Sequence, residues 1–250
     1  MTSPQRKPRL LDLFCGAGGA AVGYARAGFE VVGVDLVAQP NYPFEFVCDD
    51  ALTVLDRMLN GDDWDWGSIT SFDAIHGSPP CQAFTHARLI GHRGRRDHPR
   101  LIKPTRVLLQ RAGVPYVIEN VEGARGELID PVMLCGSTFG LNIQRHRLFE
   151  CNFPVMAAAC QHGNFGNRRF PGTPRYDGTR PLSKVVNPMA SGCGHEDFAE
   201  AMSIDWMPKR GLRPTKELCE AIPPAYTEHV GYYLMLELGA RGVRSRVFRG

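Results

Sequence analysis

A cysteine and a glutamate each follow an apolar segment of the chain, and together they suit nucleophilic chemistry. Cys81 lies in the loop after the apolar residues 72–76, and two prolines restrict the backbone in front of it. Glu119 ends a second apolar segment, residues 116–118. A thiolate is a strong nucleophile, and a carboxyl group can hold or move a proton. The pair therefore predicts covalent catalysis with acid–base assistance.

A glycine-rich turn upstream of the cysteine predicts a cofactor site. Residues 12–19 read Asp-Leu-Phe-Cys-Gly-Ala-Gly-Gly, between a strand-like and a helix-like segment. Glycines let the backbone approach a ligand, although such a turn alone could equally serve tight strand–helix packing. Asp35 stands where ribose hydroxyls are usually bound, and Asp50 could accept a hydrogen bond from an adenine amino group. Because the spacing is not Gly-x-Gly-x-x-Gly, we predict an adenosyl ligand without a pyrophosphate.

Positive charge is concentrated in two segments, although the formal net charge is only +3. Residues 88–103 follow Cys81 directly, and residues 145–184 form a second basic segment. A single charged run is usually a solvated loop. The first run adjoins the predicted nucleophile, so a polyanionic substrate is the better interpretation.

Composition predicts a protein of one main core with a small appendage. The chain has 250 residues, 43% of them hydrophobic, and lacks the 18-residue apolar stretch that a membrane span needs. The polar, basic N-terminus is not a secretory signal. We expect a cytoplasmic protein with reduced thiols. The Cys-x-His pairs of the region 151–200 could be zinc ligands. Their spacing is not the usual Cys-x₂-Cys, however, and we predict no metal. The residues concerned are Cys151, Cys160, His162, Cys193 and His195.

Strand and helix patterns alternate over most of the first 120 residues, which predicts an α/β fold with a mainly parallel, doubly wound sheet. After residue 149 the composition shifts, and residues 151–200 are rich in Gly, Pro, Asn, Arg and Cys without long periodicity. A helical pattern returns at residues 215–238. The predicted strands are 10–14, 30–34, 72–76, 115–119 and an edge-like 148–150, and the predicted helices are 20–27, 50–59 and 101–112.

Taken in order, these motifs resemble the DNA (cytosine-5)-methyltransferase family. The resemblance rests on the glycine-rich turn, Pro-Pro-Cys-Gln at residues 79–82, Glu-Asn-Val at 119–121, Arg-x-Arg at 145–147 and Ala-Ile-Pro-Pro at 221–224. It implies a Rossmann-like class I methyltransferase sheet, with residues 1–150 and 206–250 forming the catalytic domain. Residues 151–205 would then be a small, irregular target-recognition domain.

The resemblance also implies a reaction and a role for each site residue. A methyl group passes from S-adenosylmethionine to C5 of a cytosine flipped out of double-stranded DNA, leaving S-adenosylhomocysteine, while Cys81 is bonded to C6. Glu119 would hold N3 and the exocyclic amine, Arg147 the base O2, and Arg145 the loop or a phosphate. The implied cofactor contacts are Phe14, Gly16, Gly18, Gly19, Asp35, Asp50 and Pro80. The implied DNA contacts are Gln82, Thr85, Arg88, Arg93 and Arg95.

Some features depart from the family pattern and leave alternatives open. Cys219 and Glu220 stand where the family usually has Gly-Asn, so a catalytically idle DNA-binding homologue is one alternative. Thr85 replaces the serine of most DNA-specific members, so methylation of RNA, such as tRNA, is another. Transfer of a modified group is a third. The compact layout resembles bacteriophage-encoded members, and we expect a monomer in a bacterial or phage-infected cell. The biological role stays open between a restriction-modification partner, an orphan enzyme and an anti-restriction enzyme.

Overall fold

The computed structural model describes residues 6–84, 98–160 and 194–242, and the strands of these ranges form one sheet in the order β3-β2-β1-β4-β5-β7-β6. The strands are β1 (Arg9–Leu13), β2 (Glu30–Asp35), β3 (Glu45–Cys48), β4 (Ala74–Gly77), β5 (Tyr116–Asn120), β6 (Val132–Cys135) and β7 (His146–Cys151). The helices are α1 (Gly19–Arg26), α2 (Ala51–Leu59), α3 (Ile102–Ala112), α4 (His195–Met202), α5 (Lys216–Glu220) and α6 (Pro224–Ala240).

The first five strands are parallel, and β7 runs antiparallel between β5 and β6. Strand β1 lies in the middle and is buried on both faces, as its almost continuous apolar sequence requires. Leu10 packs into the core on the side of α1 and α6, whereas Leu11 and Leu13 pack into the core on the side of α2 and α3. The predicted Rossmann-like α/β sheet is confirmed.

Helices α1 and α6 pack closely because a glycine lies at their crossing. A Cβ atom on Gly23 would lie 2.1 Å from the Thr227 hydroxyl oxygen and 2.2 Å from the Pro224 carbonyl oxygen. The Thr227 hydroxyl also donates to the Ala20 carbonyl at 2.8 Å. The two helices are thereby fixed on one face of the sheet, next to the glycine-rich turn.

Two strand predictions need correction. The strand predicted at 72–76 is Ala74–Gly77, because residues 69–71 form a 3₁₀ turn that delays its start. The segment 148–150 is not an edge strand. It belongs to β7, and β6, which the sequence reading missed, covers its outer side. The burial of Leu148, Phe149 and Glu150 follows from this interior position.

Residues 161–193, which make up most of the predicted recognition domain 151–205, lie outside the described residues. The end of that predicted domain is helical rather than irregular, since α4 occupies residues 195–202. Phe198 and Met202 of α4 pack into a core with Ala17 and Leu218, and the Trp206 indole N–H donates to the Ala17 carbonyl at 2.9 Å. The division into two domains stays a prediction. None of the helices in the described ranges has the length and apolar character to cross a membrane.

Candidate active site

The Cys81 loop and strand β5 are joined at the carboxyl edge of the sheet. The Asn120 amide donates to the Pro79 carbonyl at 2.8 Å, and both residues are buried. A turn closes behind the cysteine, where the Phe84 amide donates to the Cys81 carbonyl at 2.9 Å. These bonds hold the nucleophile candidate beside the end of β5, where the sequence predicted that it would meet Glu119.

Glu119 and Arg147 form a buried ion pair beside the thiol. The Arg147 Nε atom lies 3.1 Å from Glu119 Oε1, with side-chain exposures of 15% and 7%. Burial raises the pKa of Glu119, and Arg147 partly offsets this rise. Burial also raises the pKa of Cys81, and the negative charge of Glu119 raises it further while Arg147 lowers it. The site therefore favours a neutral thiol and a carboxyl group that readily binds a proton.

A chain of buried hydrogen bonds lies behind the carboxyl group. A hydrogen bond from Ser78 lowers the pKa of Glu119. The Ser78 hydroxyl is also 2.8 Å from His76 Nε2, and the Tyr24 hydroxyl is 3.0 Å from His76 Nδ1. Burial lowers the pKa of His76 to about 3, so its imidazole is neutral and can donate on one side and accept on the other. This chain fixes the orientation of Ser78 under the active site.

Arg145 points into the protein rather than toward solvent. Its Nη2 atom donates to the Cys219 carbonyl at 2.6 Å, and its own carbonyl accepts a hydrogen bond from the Tyr226 hydroxyl. Burial lowers the pKa of Arg145 to about 9. Because the contact uses the backbone of residue 219, a cysteine in place of glycine is compatible with it. Arg145 thus links β7 to the segment that precedes α6.

The glycine-rich turn surrounds an open space next to Asp35. Phe14 (φ 57°), Gly16 (φ 50°) and Gly18 (φ 89°) all adopt positive φ angles, and a Cβ atom on Gly16 would meet nothing within 4 Å. Asp35 Oδ2 accepts from the Gly16 amide at 3.0 Å, and Asp35 Oδ1 accepts from the Val37 amide at 2.9 Å. No side-chain hydrogen bond caps the N-terminus of α1, which leaves its first N–H groups for a ligand.

The other residues of the site prediction are placed differently from one another. Gly19 contacts the opposite segment, since a Cβ atom on it would lie 2.5 Å from the Ile222 carbonyl oxygen. Asp50 caps α2, where its Oδ1 accepts from the Thr53 amide at 2.8 Å. Pro80 is half-buried and Gln82 is exposed beside Cys81. The predicted DNA contacts Thr85, Arg88, Arg93 and Arg95 lie outside the described residues.

Asp12 is a site residue to which the sequence reading assigned no role. Both of its carboxyl oxygens are buried, and the hydroxyl of the adjacent Tyr42 is the one hydrogen-bonding group near them among the described residues. Burial raises the pKa of Asp12 well above its usual value, and the charge of Asp35 adds to this. An aspartate inside an otherwise apolar strand was the sequence signal for it. The same signal, a histidine in an apolar strand, was present at His76.

Comparison with known proteins finds similarity over the part of the chain that contains Cys81 and Glu119. Residues 8–127 match the family model of the C-5 cytosine-specific DNA methylase. The Type II methyltransferase M1.HphI of Haemophilus parahaemolyticus is 35% identical over 123 residues, 44% of this chain and 32% of that protein. The Type II methyltransferase M.AquIA of Picosynechococcus sp. is 26% identical over 235 residues, 87% of this chain and 90% of that protein.

A solved structure of an E. coli protein, described as a DNA modification methyltransferase encoded within a prophage, is 22% identical, with a TM-score of 0.43 over 60% of this chain and 49% of that one. The chain spans about a third of the length of M1.HphI but nearly all of M.AquIA. Over residues 8–127, the chain is similar to the C-5 cytosine-specific DNA methylases.

Proposed function

We propose that this protein transfers a methyl group from S-adenosylmethionine to C5 of cytosine in a short double-stranded DNA sequence, as a restriction-modification enzyme does. The observation that carries the proposal is the grouping of Cys81 with the Glu119–Arg147 pair, and the family model matches the stretch that contains Cys81 and Glu119. The proposal predicts that both groups act on one cytosine ring.

The protein's own residues supply the covalent part of the proposed reaction. Cys81 passes its proton to water, and its Sγ atom bonds to C6 of the flipped base, which moves electron density to C5. Glu119 in its protonated form donates to N3, and the raised pKa of this group favours that form. Arg147 holds the base O2. After methyl transfer a base removes the C5 proton, and the Cys81–C6 bond breaks to regenerate the thiolate.

The glycine-rich turn fits an adenosyl cofactor. The open space at Gly16, the uncapped start of α1 and the carboxylate of Asp35 suit a ligand with ribose hydroxyls and no pyrophosphate. Leu36 and Val37, which are exposed next to Asp35, offer an apolar surface to an adenine ring. S-adenosylmethionine, when bound, supplies an electrophilic methyl group. The residues proposed to hold it are Phe14, Gly16, Gly18, Gly19, Asp35, Asp50 and Pro80.

The two alternative functions, a catalytically idle homologue and an RNA methyltransferase, have less support than methylation of DNA. The idle-homologue interpretation rested on Cys219 and Glu220, and the backbone contact of Arg145 with residue 219 weakens that objection. The RNA interpretation rests on Thr85, which is outside the described part of the chain. We therefore keep DNA as the proposed substrate, with residues 151–205 as the proposed recognition domain, and we make tRNA an arm of the test.

Covalent trapping tests the proposed mechanism. Duplex DNA of mixed sequence carrying 5-fluorocytosine, which cannot release a C5 proton, should become bound to the protein when S-adenosylmethionine is present. Peptide mapping should find the adduct on Cys81. The Cys81→Ala variant should form no adduct, whereas Cys48→Ala, at an exposed cysteine on β3, should form it like wild type.

An adduct on another cysteine, or none with active protein, would overturn the covalent mechanism. An adduct formed only with 5-fluorocytosine-containing tRNA would move the substrate to RNA.

A further inference from the structure

Two sulfur atoms and an imidazole nitrogen lie together where β6 ends and β7 begins, in a cluster that the proposed reaction does not use. Cys135, His146 and Cys160 offer ligand atoms that all lie within 4.8 Å of one another. Cys160 Sγ is 3.5 Å from His146 Nε2, and the Ser137 hydroxyl donates to Cys135 Sγ at 3.3 Å. We propose that Cys135, His146 and Cys160 bind a zinc ion.

The sheet itself positions two of the three ligands. Cys135 ends β6 and His146 begins β7, and the two are direct partners in the antiparallel register. Such cross-strand neighbours have Cβ atoms about 4.5–5.5 Å apart, so their side chains can share one ligand. Cys135 is fully buried, which gives the site a fixed floor. Cys160 closes the cluster from the chain that leaves β7.

A carboxylate orients the histidine in the manner of a metal ligand. His146 Nδ1 lies 2.9 Å from Glu122 Oε2, so this carboxylate can accept the ring proton. The other ring nitrogen, Nε2, then carries the lone pair and faces Cys160. Metal-bound histidines usually have this second partner, which fixes the tautomer and raises the basicity of the ligating nitrogen.

The donor set favours zinc over harder cations. Thiolate and imidazole ligands suit zinc, whereas Mg²⁺ and Ca²⁺ prefer oxygen. Two thiolates balance the charge of Zn²⁺, and three protein ligands leave the fourth tetrahedral position to water. The ligand atoms of Cys135 and Cys160 lie within 4.8 Å of each other, so as thiolates they would repel each other unless a cation joined them.

The position of the cluster suggests what the ion would do. His146 lies between Arg145 and Arg147, and Cys160 directly precedes residues 161–193 of the proposed recognition domain. A zinc ion would tie the start of β7 to the chain that enters that segment. It would thereby hold Arg147 in register with Glu119. Sequence spacing did not reveal this set because its ligands are 11 and 14 residues apart. His195, which belongs to one of the Cys-x-His pairs, is instead near the Met207 carbonyl, with its Nε2 at 3.3 Å.

Metal analysis of the full chain tests the proposal without DNA or cofactor. Protein produced with zinc and reductant, then dialysed, should contain one zinc ion per chain by plasma mass spectrometry. Cys160→Ser should lose the zinc, and Cys48→Ser should keep it. Glu122→Gln should bind zinc about 10–100-fold more weakly in a competition with a chromogenic chelator. Cobalt added to metal-free protein should give a thiolate charge-transfer band in wild type and Cys48→Ser but not in Cys160→Ser.

The buried Cys135 is left intact in these variants so that folding is preserved. Zinc-free wild-type protein with no cobalt band would overturn the proposal. So would undiminished zinc in Cys160→Ser. A Cys135–Cys160 disulfide in protein prepared with reductant, seen as the loss of two hydrogens in the intact mass, would replace the metal site by a redox pair.

Discussion

Asp12 illustrates at the scale of a single residue how the cofactor site conflicts with stability. Its carboxyl group is fully buried on β1, and within the described ranges it has no charged partner and only the Tyr42 hydroxyl near its oxygens. A buried, unpaired carboxylate is costly, so it either binds a proton or waits for a ligand. Its position between the glycine-rich turn and Tyr42 favours a ligand-related role.

Replacing Asp12 by asparagine should stabilise the free protein. Because burial raises its pKa in the folded state, the folded protein binds a proton that the unfolded chain releases near its ordinary pKa of 3.8. The free energy of unfolding of wild type therefore falls as pH rises above about 4, and the Asp12→Asn variant escapes this fall. Urea denaturation across the pH range should show an advantage for Asp12→Asn that grows with pH.

Asp63→Asn, at an exposed position, is the control and should match wild type throughout. An Asp12→Asn variant that is less stable than wild type, or whose difference from it is constant with pH, would contradict this account of Asp12.

At the scale of elements, the crossing of α1 and α6 fixes the cofactor turn relative to the segment that meets Arg145. A Cβ atom on Gly23 would collide with backbone atoms of α6, which cannot move aside as a flexible side chain would. The crossing is therefore sensitive to a single methyl group.

Gly23→Ala should lower the free energy of unfolding by about 1–3 kcal/mol, because the added methyl forces the helices apart. Gly239→Ala is the matched control, since it lies in α6 with nothing within 4 Å of its Cβ position. That change should be neutral or stabilising by up to about 1 kcal/mol. Thermal and urea denaturation measure both, and equal effects in the two variants would contradict the close crossing.

A second element-scale contact joins α3 to β7. Arg106 Nε lies 2.6 Å from Glu150 Oε1, and Arg106 Nη2 lies 2.6 Å from Glu150 Oε2. The side chain of Arg106 is 11% exposed and that of Glu150 is 3% exposed. Arg106→Met should cost about 3–5 kcal/mol, because it leaves the Glu150 carboxylate buried without its partner. Arg111 lies on the same helix as Arg106 and forms an exposed pair with Asp56 of α2. Arg111→Met should therefore lower the free energy of unfolding by at most about 1 kcal/mol. Equal losses in urea denaturation would argue against a buried pair.

The elements also show what the sequence could and could not predict. Continuous apolar runs identified β1, β2, β4 and β5 because parallel central strands are buried on both faces. Strand β6 was missed because its four residues, Val-Met-Leu-Cys, are too few to show a periodic pattern. The interior position of β7 could not be seen without it. The zinc cluster was missed for the related reason that a strand register, and not a sequence spacing, brings Cys135 to His146.

At the scale of the whole molecule, one sheet edge joins the parts of the proposed reaction. Sequence order and the α/β pattern were sufficient to predict that Cys81 and Glu119 would lie at one edge, because parallel strands end at the same edge. The hydrogen-bond partners that shift the pKa of Glu119, such as Ser78 with His76 behind it, could not be predicted from the sequence. The predicted recognition domain, monomer and cytoplasmic location stay predictions.

The most direct test of the central claim is the methylation pattern that this protein leaves on DNA. Unmethylated duplex DNA, incubated with the protein and S-adenosylmethionine and then sequenced after bisulfite treatment, should contain conversion-resistant cytosines in one short context. The Cys81→Ala variant should leave all cytosines convertible, a loss of about a thousandfold or more, and Cys48→Ala should behave as wild type. Full conversion with folded wild-type protein, or resistant cytosines that persist with Cys81→Ala, would contradict the account.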